Sequence, residues 1–138
     1  MKVVLDTNVV VSGLFFGGIP GQILSAWIAD RFGLVLSAAI LAEYREVGVE
    51  LTSKYPGLEF ESFAAMLLLN SEVVDAPQYL EPPVCSDPDD DKFLSCAVVS
   101  GAMIIVSGDR QLLATSGWNG VTVLKPRDFL QRLDDTSE

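Results

Sequence analysis

Carboxylates stand at three places in this sequence where the neighbouring residues are apolar. In KVVLDTNVV, residues 2–10, Asp6, Thr7 and Asn8 interrupt a hydrophobic run. MIIVSGD, residues 103–109, ends on Ser107, Gly108 and Asp109. CSDPDDDKFLSCA, residues 85–97, places acids at 87, 89, 90 and 91 ahead of an apolar run. Each also has a structural account. An aspartate after a strand caps the next helix or makes an Asx turn. Asp87 followed by Pro88 is a helix start, and Asp89 and Asp90 then gain roughly 0.3–1 kcal/mol each from the helix dipole. Asp91 lies one position deeper, beside Phe93, Leu94 and Ala97, and is the acid of this run expected to face inward. A solvated first-turn charge is the competing account of it. Glu43, in SAAILAEYREV, is by local sequence an ordinary helix glutamate, with Glu46 a competing choice.

The chain contains no histidine. This excludes histidine triads, histidine zinc sites and imidazole bases. If Asp6, Glu43, Asp91 and Asp109 converge, each pair at about 4 Å repels by roughly 1–4 kcal/mol at effective dielectrics of 80 to 20. Such a group becomes favourable around a hard divalent cation, which takes oxygen ligands. Mg²⁺ or Mn²⁺ held there can activate water and bind phosphate oxygens. Thr7, Asn8 and Ser107 could orient water or phosphate.

The elements that must position these residues follow from the pattern. KVVLD (2–6) is a buried parallel strand, and FFGGIPG (15–21) a loop. GQILSAWIADRF (21–32) is a helix closed by Gly33, and LVLS (34–37) a strand. Helices are expected over 38–54, broken at Pro56-Gly57, and over 59–69, with 71–77 a short strand or extended segment. A helix over KFLSCAVVSGA (92–102), a strand at 103–108 and a short helix after Asp109 follow. A strand at 121–125 and a helix opened by Pro126 close the chain. Alternating strands and helices predict an α/β fold, a three-layer α/β/α sandwich on a central parallel sheet. In such sheets ligands sit beyond the C-terminal strand ends, where Asp6 and Asp109 stand. One domain is expected over residues 1–133, with an acidic flexible tail at 134–138.

Apolar residues are 49% of the 138, enough for a core without staples. No apolar run approaches the roughly 18–20 residues that span a bilayer, and the interrupted start reads as a strand rather than a signal peptide. A cytoplasmic protein without membrane association is expected. Cys96 reads as core, and the acids near Cys85 should raise its thiol pKa, against a reactive thiolate. Phe15, Phe16, Trp27, Phe60, Phe63 and Met66 read mostly as core, with some available for a dimer or partner interface. The formal net charge of −10 does not by itself attract a polyanion, so binding one needs local cations, bridging metal or a basic partner.

LDTNV at the first strand, a glutamate in the second helix, DPDDDKFLSCA opening a central helix, VSGDRQLL after the next strand and the closing LKPRDFL together resemble a PIN domain. More narrowly, they resemble the VapC-type toxins of prokaryotic toxin–antitoxin pairs. The resemblance covers about residues 1–133. It implies an endoribonuclease dependent on Mg²⁺ or Mn²⁺, a homodimer, and a small antitoxin that covers the acidic site. It puts the catalytic and metal-binding acids on Asp6, Glu43, Asp91 and Asp109, and the supporting polar residues on Thr7, Asn8 and Ser107. Arg110 and Lys92 adjoin the acidic motifs; either could meet a phosphate or only offset the carboxylates, and Lys92 fits the second role better.

Other chemistries fit less well. A phosphatase of the haloacid-dehalogenase type needs an aspartate two positions after the nucleophile, where Asn8 stands, which cannot transfer a proton. A receiver-type phosphoacceptor needs an acidic neighbour that Asp6 lacks; Lys125 is a loose match to its lysine. A non-catalytic module that docks a basic partner segment in the acidic pocket is the alternative from another class.

Overall fold

In the computed structural model, which describes residues 1–136, the first strand β1 (Lys2–Leu5) runs through the core with Val3, Val4 and Leu5 fully buried. It is followed by α1 (Thr7–Phe16), α2 (Gly18–Ile28), β2 (Gly33–Ser37), α3 (Ala38–Lys54), α4 (Phe60–Asn70) and β3 (Glu72–Val74). A long segment then leads to a single 3-10 turn at Pro88–Asp90, and the chain continues through α5 (Asp91–Ser100), β4 (Ile104–Val106) and α6 (Arg110–Leu113). A second 3-10 turn at Trp118–Gly120, β5 (Thr122–Leu124) and α7 (Pro126–Asp135) complete it.

The five strands form one parallel sheet in the order β3-β2-β1-β4-β5. Helices flank it, as the alternating pattern predicts, in an α/β/α sandwich. The chain winds outward from β1 through β2 to β3, then returns to β4 on the other side of β1. The strand order therefore reverses between β1 and β4, and a crevice opens beyond their C-terminal ends. Leu5 registers with Val106 there, and the Asp6 amide donates to the Val106 carbonyl at 2.9 Å.

One expectation is corrected. Residues 15–21, expected as a loop, are mostly helical: α1 runs to Phe16, α2 starts at Gly18, and only Gly17 lies between them. Gly17 has φ of 74°, open to glycine without cost, which lets the chain bend by 97° in one residue. The helices pack so closely that a Cβ on Gly13 would lie 2.8 Å from the Pro20 carbonyl oxygen. Gly17 and Gly18, both at positive φ, thus make the bend, and Gly13 admits the neighbouring helix. At the other end, α7 takes in Asp134 and Asp135 of the expected tail, while residues 137 and 138 lie outside the described residues. Among the described residues no single helix is long and apolar enough to cross a membrane.

Of the large apolar residues expected in the core or at an interface, Trp27 and Phe60 are core, Phe15, Phe63 and Met66 are partly buried against it, and Phe16 is exposed. Phe16 stacks edge-on against Tyr55, 5.2 Å between ring centroids. Cys85 and Cys96 are buried free thiols, each pushed up to about 12, chiefly by burial.

A candidate acidic site at the strand ends

Asp6 leaves β1 in extended conformation, and α1 starts at the next residue. Its carboxylate is buried and accepts the Ser107 hydroxyl at 2.5 Å. Ser107 follows β4, so this bond closes the crevice between the two strands. The same Ser107 oxygen accepts the Asp109 amide at 3.0 Å, which fixes the turn that carries Asp109. Asp109 in turn caps α6 through the Gln111 amide at 3.1 Å. Burial raises the Asp6 carboxyl above its ordinary range. The Ser107 hydroxyl and the Thr7 amide pull it back, and Glu43 and Asp109 add to the rise. Through Ser107 the Asp6 carboxylate is thus tied to the Asp109 backbone at the ends of adjacent strands.

Glu43 reaches the same place from α3. Thr7 donates its hydroxyl to one carboxylate oxygen, and the Lys92 ammonium lies 2.7 Å from the other. The next residue, Tyr44, is fully buried and donates its hydroxyl to the Leu5 carbonyl at 2.5 Å. Two consecutive residues thus clamp α3 onto the end of β1. The helical period cannot distinguish Glu43 from Glu46, but position does: Glu46 is exposed and Glu43 half-buried.

Lys92 is 3% exposed and also pairs with Asp89 at 2.8 Å. Burial alone would lower its ammonium; the bonds to Asp89 and Glu43 outweigh it and hold the pKa above the ordinary value. This lysine is a fixed counter-ion rather than an exposed phosphate ligand.

The acidic run divides its roles in a way local sequence does not show. Asp87 caps the turn through the Asp89 amide at 3.0 Å, as its position before Pro88 predicts. Asp91 faces inward and is fully buried. Its two oxygens, however, accept the backbone amides of Cys85 at 2.8 Å and Val84 at 3.0 Å. It braces the approach segment, and the structure does not bring it into the carboxylate group. Asp90, one residue earlier, is half-buried and within electrostatic reach of the other acids. Its carboxyl is pushed up to about 6, first by burial and then by Asp87, Asp6, Asp109 and Glu43. The sequence favours Asp91 over Asp90 because a first-turn acid is already explained by the helix dipole.

Asn8 is exposed in the first turn of α1. Among the described residues no three carboxylates or thiols are already gathered into a metal cage. The donor set of Asp6, Asp90, Asp109 and Glu43 still has the chemistry for a hard divalent ion. It is all oxygen, partly buried and mutually repulsive.

The sequence pattern of the PIN domain matches residues 2–111. The chain is similar to the uncharacterized protein MJ1680 of Methanocaldococcus jannaschii, 31% identical over 97% of this chain and 92% of that one. Its fold is similar to a chain in the crystal structure of VapBC2 from Rickettsia felis bound to a DNA fragment from their promoter. There the TM-score is 0.58 at 16% identity, covering 91% of this chain and 98% of that one.

Proposed function

This chain belongs to the PIN domain family, and on that premise we propose that it is a metal-dependent endoribonuclease whose centre is the acidic crevice between β1 and β4. The observation that carries the reading is that Ser107 ties the Asp6 carboxylate to the backbone amide of Asp109, at the ends of two adjacent strands. Asp6, Asp90 and Asp109 would hold Mg²⁺ or Mn²⁺, with Glu43 at its border. A bound ion of this kind lowers the pKa of water and polarises a phosphodiester oxygen. The chain's own residues do the rest. Ser107 aims Asp6, Thr7 and Lys92 fix Glu43, and Asp91 holds the segment that presents Asp90. Asn8 and Arg110, both exposed beside the crevice, are placed to orient water and a substrate phosphate.

The proposal extends to the cell. The unit is one domain over residues 1–133, acting in the cytoplasm as the toxin of a toxin–antitoxin pair. A small antitoxin covers its acidic site, and the chain is a homodimer. Exposed Leu69 and Val73, on α4 and the edge strand β3, offer apolar surface for self-association. The motif resemblance supports the toxin role; growth arrest on expression, relieved by a co-expressed neighbouring frame, is its test. Elution as a monomer at micromolar concentration would overturn the dimer.

Cleavage of a labelled single-stranded RNA with Mn²⁺, with Mg²⁺ and with EDTA tests the nuclease. Asp6→Asn and Asp109→Asn should each remove metal-dependent cutting at least 100-fold with circular dichroism unchanged; equal cutting by the variants would sink the proposal. One observation favours a second reading. The acidic group already holds an ammonium, that of Lys92, so it could dock a basic partner segment without metal or turnover.

A further inference from the structure

The basic residues are not evenly placed about the crevice. Lys2, Arg31, Arg45 and Lys92 are committed to ion pairs. Five exposed cations have no ion pair among the described residues: Lys54 at the end of α3, Arg132 in the last turn of α7, and Arg110, Lys125 and Arg127. The last three follow the C-terminal ends of β4 and β5, on one side of the crevice. The Ser107 amide donates to the Leu124 carbonyl at 2.9 Å, so Lys125 leaves β5 alongside the residue that holds Asp6. Arg110 follows Asp109 and opens α6, and Arg127 stands in the first turn of α7, directly after Lys125 and Pro126. Two acids stand among them: Asp128, and Asp109, which belongs to the crevice itself.

The opposite side is acidic. The segment from β3 to the 3-10 turn carries Asp75, Glu81, Asp87 and Asp89, and its neighbouring cation Lys92 is buried and paired. With a net charge of −10, a polyanion is repelled by most of this molecule and accepted where unpaired cations gather.

We propose that Arg110, Lys125 and Arg127 form the track that holds the phosphodiester backbone of a single-stranded substrate. The strand enters the acidic crevice over β4 and β5 and does not cross the β2–β3 side. This rests on the nuclease reading and adds to it the direction of approach and two residues, Lys125 and Arg127, remote from the acidic motifs.

Counter-ion release makes the track measurable. Each phosphate neutralised on a single strand contributes about 0.7 to the slope of log affinity against log salt. Binding of a labelled single-stranded RNA would be followed by anisotropy across a salt series, with Ca²⁺ as the divalent ion. The wild type would be compared with Arg110→Gln/Lys125→Gln/Arg127→Gln and with Arg45→Gln/Lys54→Gln/Arg132→Gln, which has the same net charge. The track variant should lose about 2 from the slope and at least tenfold in affinity, while the control keeps the wild-type slope and stays within threefold. Equal losses in both variants would mean that only net charge matters, and an unchanged track variant would mean that the strand lies elsewhere; either overturns the track while cleavage by the wild type still stands. A wild type that neither binds nor cuts RNA overturns the track together with the nuclease reading.

Discussion

Asp90 and Asp91 are adjacent acids in opposite surroundings, and substitution separates them. Asp91 accepts two backbone amides, and hydrogen bonds to a charged group contribute about 1.5–3 kcal/mol each. Asp91→Ala should therefore lower the melting temperature markedly, with activity falling only as the fold loosens. Asp90→Asn should do the reverse, removing RNA cleavage without lowering the stability of the metal-free chain. The pH dependence has a definite sign. Asp90 is held at about 6 against an ordinary 3.8. A folded-state pKa raised in this way gives stability that is present below the unfolded value and lost as pH rises through the folded one. The metal-free wild type should thus lose stability between about pH 4 and 7, and Asp90→Asn should flatten part of that fall, Asp6 supplying a remainder of the same sign. Melting curves across that range, in EDTA, decide it; a wild-type curve as flat as the variant's would refute the assignment.

At the level of elements, the crevice depends on how α3 and the α1–α2 pair are seated. Tyr44→Phe keeps the ring and removes the hydroxyl that satisfies the Leu5 carbonyl. A buried acceptor left unpaired costs about 1–3 kcal/mol, so denaturant unfolding should shift by that amount. Cleavage should fall as well, since Asp6 follows Leu5. Gly13→Ala tests the helix pair. A methyl group 2.8 Å from a backbone oxygen forces the helices apart, and overpacking of this kind costs about 1–3 kcal/mol. An alanine variant as stable as the wild type would show that the helices separate freely.

For the whole molecule, the acidic crevice is a site of stored repulsion that a divalent ion should relieve. An ion that binds only the folded chain stabilises it by about 2.7 kcal/mol at 100 times its dissociation constant. Mn²⁺ should accordingly raise the melting temperature of the wild type and leave Asp6→Asn nearly unmoved. A rise of the same size in both would place the ion elsewhere. The fold itself explains why repulsion collects here. Parallel strands end together, and the reversal of strand order between β1 and β4 leaves a gap beside which three connecting segments and helix α3 present acidic residues.

Much of this was legible in the chain. Continuous apolar runs ending in Asp6 and in Ser107-Gly108-Asp109 carry both the parallel sheet and the proposed site at its C-terminal edge, because buried strands and the polar residues that follow them are local patterns. The start of the acidic turn at Asp87-Pro88 was legible for the same reason. Tertiary structure alone decided which acid of 89–91 meets the crevice, because a turn of 3-10 backbone and two amides from residues 84 and 85 set the direction of each side chain. It alone singled out Glu43, whose role comes from Thr7 and Lys92, far away in sequence. It also compressed the loop expected at 15–21 into a bend at Gly17 and Gly18 and gave Gly13 a helix contact, since a missing Cβ reads the same in a sequence whether it frees a turn or admits a neighbour.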